Sequence, residues 1–296
     1  MTFLRSTLLA AAAFLSFTAT AGAQTVLPSI ADVAKQKVFA NIGLLNSECI
    51  RYDAANDRYL ISNLGTRGPE NNGYITIMSP DGTIVNQKFI EGGKNGATLI
   101  DPLGIYIQDG MIWVADITHM RKFDLKTGAP RGEVALVGAN RPNDIFVMPG
   151  GQAYLSDNGG VSGSIIKVSP SGQVSLLQPR DDVMEKPNGV AVMPDGTLVH
   201  GGRGVNISFR DRNTGQLLRE KTVPSGQFDA LVPLADGSLL IASQGGKNIY
   251  KMSAAGEFTE VAKEIAIPAA IGYDTKRNRL LIPQIAAGSI TMVDLP

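Results

Sequence analysis

Residues 142–157 read PNDIFVMPGGQAYLSD: an apolar triplet (Ile145-Phe146-Val147), a Pro-Gly-Gly turn, and a second apolar run that ends on Ser156-Asp157. Glycine after proline supplies the positive φ that a tight hairpin needs, so the stretch predicts two antiparallel strands. The same layout recurs in PLGIYIQDGMIWVAD from Pro102, PNGVAVMPDGTLVHGG from Pro187, FDALVPLADGSLLIAS from Phe228 and PAAIGYDTKRNRLLIP from Pro268. A sixth copy, SECIRYDAANDRYLISN, starts at Ser47. Aligned two residues before the first apolar position, the copies place Glu48, Leu103, Asn143, Asn188, Asp229 and Ala269 in one register, with steps of 55, 40, 45, 41 and 40 residues. Each step is the length of one four-stranded propeller blade.

Each copy continues with a third and a fourth strand, such as Gly163 to Val168 and Gln173 to Leu177, joined by Ser-Pro-x-Gly chemistry. With 33 Gly and 16 Pro, and no 3.6-residue apolar period beyond the first residues, a helical fold is excluded; one short helix is expected at 28–36. The fold class is therefore all-β, a six-bladed propeller of four-stranded antiparallel blades. The last copy ends at its third strand, Ser289 to Val293, so its outermost strand is expected from Lys37 to Ala40. That closure covers a sheet edge and ties the two ends together.

The start of the chain has Arg5, a Leu- and Ala-rich run, then Ala21-Gly22-Ala23 before Gln24, which is the layout of a signal peptide over residues 1–23. Residues 24–296 then form a single propeller domain, exported to the periplasm or secreted. No window reaches the roughly 20 apolar residues of a membrane span. Lys plus Arg and Asp plus Glu each number 27, with no block of like charge, which gives no reason to expect a nucleic-acid or anionic-membrane partner. Cys49 is the only cysteine, so an internal disulfide and a Cys-rich metal site are both excluded.

Inner strands of a propeller line the central channel, so the six aligned positions form a ring at one mouth: Glu, Leu, Asn, Asn, Asp, Ala. Two carboxylates converging with two amides demand a counter-ion. Four oxygen donors without His or Cys favour one hard divalent cation on Glu48, Asn143, Asn188 and Asp229. Ca²⁺ fits best, with Mg²⁺, Mn²⁺ and Zn²⁺ as the alternatives. An Asn after Pro is also ordinary turn chemistry, but that reading does not explain four oxygen-bearing residues at one register. Strand alternation turns Cys49 and Asp144 away from the channel.

The motifs Ser47-Glu48, Pro142-Asn143-Asp144, Pro187-Asn188-Gly189, Phe228-Asp229-Ala230 and Ile271-Gly272-Tyr273-Asp274 through Arg279-Leu280-Leu281-Ile282-Pro283 carry a resemblance over most of residues 24–296. The chain resembles the senescence-marker-protein/gluconolactonase/luciferin-regenerating-enzyme family and, more distantly, the serum paraoxonases and diisopropyl fluorophosphatase. The resemblance implies that the matching Glu, two Asn and Asp bind a catalytic divalent cation, with the Asp also engaged in the chemistry. Ala270 and Ala230 depart from the pattern, standing where relatives have Asp and Gly.

The expected activity is therefore hydrolysis of a small-molecule lactone or related ester, with Asp229 assisting water attack. Loops between second and third strands should emerge beside the ring. They nominate His119, Asn158, Arg203, Gln244 and Gln284 as substrate contacts, and His119 as a proton carrier. A non-catalytic exported propeller that binds a ligand or partner around a structural cation is the alternative, and an arylesterase or phosphotriesterase a third reading.

Overall fold

The computed structural model describes residues 36–160, 163–178 and 184–296. The expected signal peptide at 1–23 lies outside them. So does the expected helix at 28–36 except for Gln36, which begins a strand. The described strands form six four-stranded antiparallel sheets. Blade 1 runs from its inner strand Ser47–Asp53 through Arg58–Asn63 and Tyr74–Met78 to Ile84–Glu91. The inner strands of blades 2 to 6 are Pro102–Gln108, Pro142–Val147, Gly189–Val192, Phe228–Pro233 and Gly272–Asp274. The first blade of the chain is thus set by the Ser47 copy, and each later blade by the copy the alignment assigns to it.

Closure follows the expectation. Gln36–Phe39 pairs antiparallel with Ser289–Asp294, matching Val38 with Thr291 and Phe39 with Ile290, and supplies the outer strand of blade 6. Without it, the Ser289–Asp294 edge would present unpaired backbone groups.

The cores lie between neighbouring sheets rather than at the channel. Ile61, Ile50 and Leu281 join blades 1 and 6, while Leu155, Ile145 and Ala115 join blades 2 and 3. Period-2 alternation gives each blade two apolar faces, and burial of each aliphatic side chain contributes roughly 1.5–3 kcal/mol.

One histidine belongs to this framework. His200 is buried in blade 4, and its Nε2 accepts a hydrogen bond from Arg210 Nε at 2.8 Å. Burial, with the Arg210 charge, pushes the imidazole down to about 3. The unfolded chain therefore takes up the proton first, and stability falls as pH drops below the unfolded value of about 6.5. Between pH 7 and 4.5, His200→Gln is expected to lose about 2–3 kcal/mol less stability than wild type. Equal losses in urea melts at the two pH values would show that His200 is protonated in the fold.

Candidate functional site

The inner strands do not enter their blades as regular ladders. In blades 1, 2, 3 and 5 the pairing with the second strand breaks between Ser47 and Ile50, Pro102 and Ile105, Pro142 and Ile145, and Phe228 and Leu231. The two skipped residues in each bulge include the ring position: Glu48, Leu103, Asn143 or Asp229. A bulge frees a residue from the pleat and re-aims its side chain. Serines hold two of these bulges. Ser62 Oγ accepts from the Cys49 N–H and donates to the Leu103 carbonyl at 2.6 Å, and Ser156 Oγ joins the Asp144 N–H to the Asn188 carbonyl in the same way.

The residue after each ring position packs against the next blade. A Cβ at Gly189 would lie 2.4 Å from the Asp229 carbonyl oxygen, so the spacing of blades 4 and 5 requires glycine there. Ala270 bonds across to blade 1, its N–H to the Glu48 carbonyl at 2.9 Å and its carbonyl to the Ile50 N–H at 3.1 Å. Cys49 is core, as expected from its place one residue past the ring. Burial pushes its thiol up to about 12.

The structure brings Glu48, Asn143, Asn188 and Asp229 together at the floor of a cavity of about 600 Å³. Glu48 is 4% exposed and Asp229 2%. Asp229 Oδ2 accepts from Gln244 Nε2 at 2.7 Å and from Asn188 Nδ2 at 3.4 Å. Asp229 Oδ1 and Asn188 Oδ1 are buried and make no hydrogen bond. Burial pushes Glu48 up to about 7 against the pull of Arg141 and Arg67. Burial, then Glu48 and Asp144, push Asp229 well above the usual carboxylate range. Two orphaned oxygens and two carboxyls that resist ionising together are what a hard divalent cation would satisfy, so the residues present fit one. Among the described residues there is no group of three or more His, Cys, Asp or Glu side chains able to hold a metal, so a cation here depends on the amides of Asn143 and Asn188.

Below the ring, Arg51 reaches across the channel. Its Nη2 meets Asp144 Oδ1 at 3.2 Å, and its Nη1 donates to the carbonyls of Ile271 at 2.6 Å and Ile50 at 3.0 Å. Asp144, expected to turn away from the channel, instead meets Arg51 there because the bulge breaks strict alternation; it is 1% exposed and also accepts from the N–H groups of Ile145 and Val190. Arg51 lines a second cavity, of about 420 Å³, where Tyr52, Tyr106, Phe146 and Tyr273 gather.

Of the expected substrate contacts, Asn158, Arg203 and Gln244 line the first cavity. Gln244 spends its amide on Asp229 and on the Pro268 carbonyl, so it orients the carboxylate. His119 and Gln284 do not line the cavity. Asp116 pairs with His119, leaving Ile117-Thr118 as a two-residue hairpin too short to reach the mouth, and the imidazole Nδ1 lies 3.0 Å from Thr118 Oγ1. Gln284 turns back into blade 6, donating to Thr291 Oγ1 at 3.0 Å, and its neighbours Ile285 and Ala286 line the cavity instead.

The register alignment stopped one storey short. Two residues before each ring position stand Asn46, Asp101, Arg141, Lys186, Gln227 and Ile267, and all but Asp101 line the cavity above the ring. Asn46, Lys186 and Gln227 have φ of 54°, 54° and 59°, a left-handed turn that leads the chain into the inner strand. Extending the alignment by two residues would have found this storey in the sequence.

No family model matches the chain, and no curated protein matches it. Solved structures do. A gluconolactonase from Xanthomonas campestris is 18% identical, with a TM-score of 0.70 over 88% of this chain and 90% of that one. Regucalcin from Agrobacterium tumefaciens, a calcium-binding protein, is 17% identical with a TM-score of 0.59 over 86% of this chain and 92% of that one. Virginiamycin B lyase from Staphylococcus aureus is 15% identical with a TM-score of 0.61 over 89% of this chain and all of that one. At these identities the likeness shows a shared propeller fold and no function, and the six sheets of this chain give its blade count.

Proposed function

We propose that this chain is a divalent-cation-dependent hydrolase of lactones or related esters, exported after cleavage near Ala23. The observation that carries it is the buried, unpartnered pair Asp229 Oδ1 and Asn188 Oδ1 beside Glu48, on the floor of a cavity large enough for a sugar lactone. Glu48, Asn143, Asn188 and Asp229 would hold the ion, with Ca²⁺ favoured by the all-oxygen set. Such an ion polarises a carbonyl oxygen and stabilises the charge that develops on it.

The protein's own contributions follow from the geometry. Gln244 fixes the Asp229 carboxylate through Oδ2, and Asp229 is the group that would take a proton from attacking water. A purely binding role is the second reading, favoured by the lack of any histidine among the cavity-lining residues.

Titrating acid release at constant pH over sugar lactones, acyl-homoserine lactones and aryl esters, with and without chelator, separates the two. Chelator-sensitive turnover is expected for at least one class. Asp229→Asn should lower kcat by about 10²–10⁴-fold, the usual contribution of a positioned base. His119→Ala should leave it unchanged. Absence of turnover on every class sinks the hydrolase reading and leaves the binding one.

A further inference from the structure

Blade 2 contributes no residue to the lining of the site cavity. Its ring position is Leu103, and its second and third strands join through the two-residue hairpin at Ile117-Thr118. The cavity wall therefore has a gap on that side. Arg67, from the long loop of blade 1, and Arg141, at the entry to blade 3, line the cavity on either flank of the gap. Both oppose the upward push of burial and Asp116 on Asp101, the residue above blade 2. The two guanidiniums thus lie within Coulombic reach of the Asp101 carboxylate on that side of the mouth.

Neither side chain makes a hydrogen bond or ion pair with the described residues, although both are exposed and could. The Arg141 backbone is nonetheless fixed. Asp157 accepts from the N–H groups of Asn140 at 2.9 Å and Arg141 at 2.7 Å, so the side chain starts from a rigid point. Lys186 and Arg203 line the mouth further round, over blade 4, and the Arg203 N–H donates to the Glu185 carbonyl at 2.8 Å. Four cations thus surround a floor whose own carboxylates are Glu48 and Asp229. With a divalent ion satisfying those two, the rim is left with unpaired positive charge.

We propose that the substrate carries a carboxylate, bound by Arg67 and Arg141 over blade 2 while its reacting carbonyl lies on the ring. The substrate class is then the lactone of a sugar acid that keeps a second, free carboxyl group. This rests on the hydrolase reading above for the word lactone, but the anion site stands on the arginines alone. The planar guanidinium fork matches a carboxylate, and two arginines beside the one carboxylate of Asp101 leave a single positive charge, which suits a monoanion better than a phosphate dianion.

Three lactones test it at constant ionic strength: D-glucono-1,5-lactone as the neutral case, D-glucaro-1,4-lactone as the carboxylate, and 6-phospho-D-glucono-1,5-lactone as the phosphate. The glucarolactone should give the highest kcat/KM. The double variant Arg67→Gln, Arg141→Gln should lower its kcat/KM by about 100-fold, chiefly through KM, since two charge-assisted hydrogen bonds are lost. The neutral lactone should lose far less. Calorimetric titration with D-glucuronate, against D-glucose as the uncharged control, reads the anion site without turnover. Binding of glucuronate alone, lost in the double variant, is the expected result.

Equal kcat/KM for the neutral and carboxylate lactones together with no glucuronate binding overturns the proposal. So does an equal fall for both lactones in the double variant, and so does a preference for the phosphate. Arginine-dependent glucuronate binding without hydrolysis of any lactone removes the hydrolase reading and leaves the anion site in place.

Discussion

In the Glu48→Gln, Asp229→Asn double variant, calcium is expected to leave the melting temperature unchanged, and the chelated protein is expected to melt higher at pH 8 than chelated wild type. Burial, opposed by Arg141 and Arg67, raises the Glu48 carboxyl from 4.5 to about 7. A carboxyl raised in the fold stabilises while it keeps its proton. That contribution is complete below pH 4.5 and is lost as pH rises through about 7, because the unfolded chain has by then already ionised. A shift of this size corresponds to roughly 3 kcal/mol, and Asp229 moves in the same direction.

Metal-free wild type should therefore weaken between pH 5 and pH 8, and calcium at about 100 times its Kd should return roughly 2.7 kcal/mol. The neutral isosteres remove both effects at once. Scanning calorimetry at pH 5 and pH 8, with EDTA or calcium, reads all four conditions. A calcium response that survives in the double variant would place the ion somewhere other than this ring.

The second large effect belongs to the channel beneath the ring. Arg51→Met leaves Asp144 at 1% exposure without its cation, and removing one partner of a buried pair costs about 3–5 kcal/mol. For a domain of this size that is a fall in melting temperature of roughly 6–15 °C. Asp144 is already raised by burial against the pull of Arg51. Without Arg51 it rises further, so the variant should be more damaged at pH 8 than at pH 5, where the carboxyl can hold its proton. The double variant Arg51→Met, Asp144→Asn should recover part of the loss, since an amide buries no charge and its Oδ1 still accepts from the Ile145 N–H, while the Nδ2 that replaces the second oxygen cannot accept from Val190. A loss below about 1 kcal/mol for Arg51→Met would mean that water reaches Asp144 and replaces the guanidinium.

Some of this site was legible in the chain and some was not, for separable reasons. Glu48, Asn143, Asn188 and Asp229 could be read because a propeller maps equal register onto equal height. The storey above, from Asn46 to Ile267, obeys the same rule. His119 was misplaced because loop length decides which blade reaches the mouth, and the Ile117-Thr118 hairpin of blade 2 is too short. Arg67 could not be read at all, since it lies in a loop with no counterpart at equal register in the other blades. The bulges were equally hidden: strict alternation accounts for Cys49 in the core, but only the hydrogen-bond pattern shows Glu48-Cys49 leaving the ladder held by Ser62.

By itself, the sequence determined the six blades, their closure by a strand from before the first blade, and the four residues of the ring, because repetition at a blade-length period leaves one architecture in which the apolar faces can stack. The tertiary structure decided which atoms of that ring lack partners, how Arg51 meets an aspartate 93 positions away, and where the cavity wall has a gap. Those depend on distances between blades, which register alone does not contain.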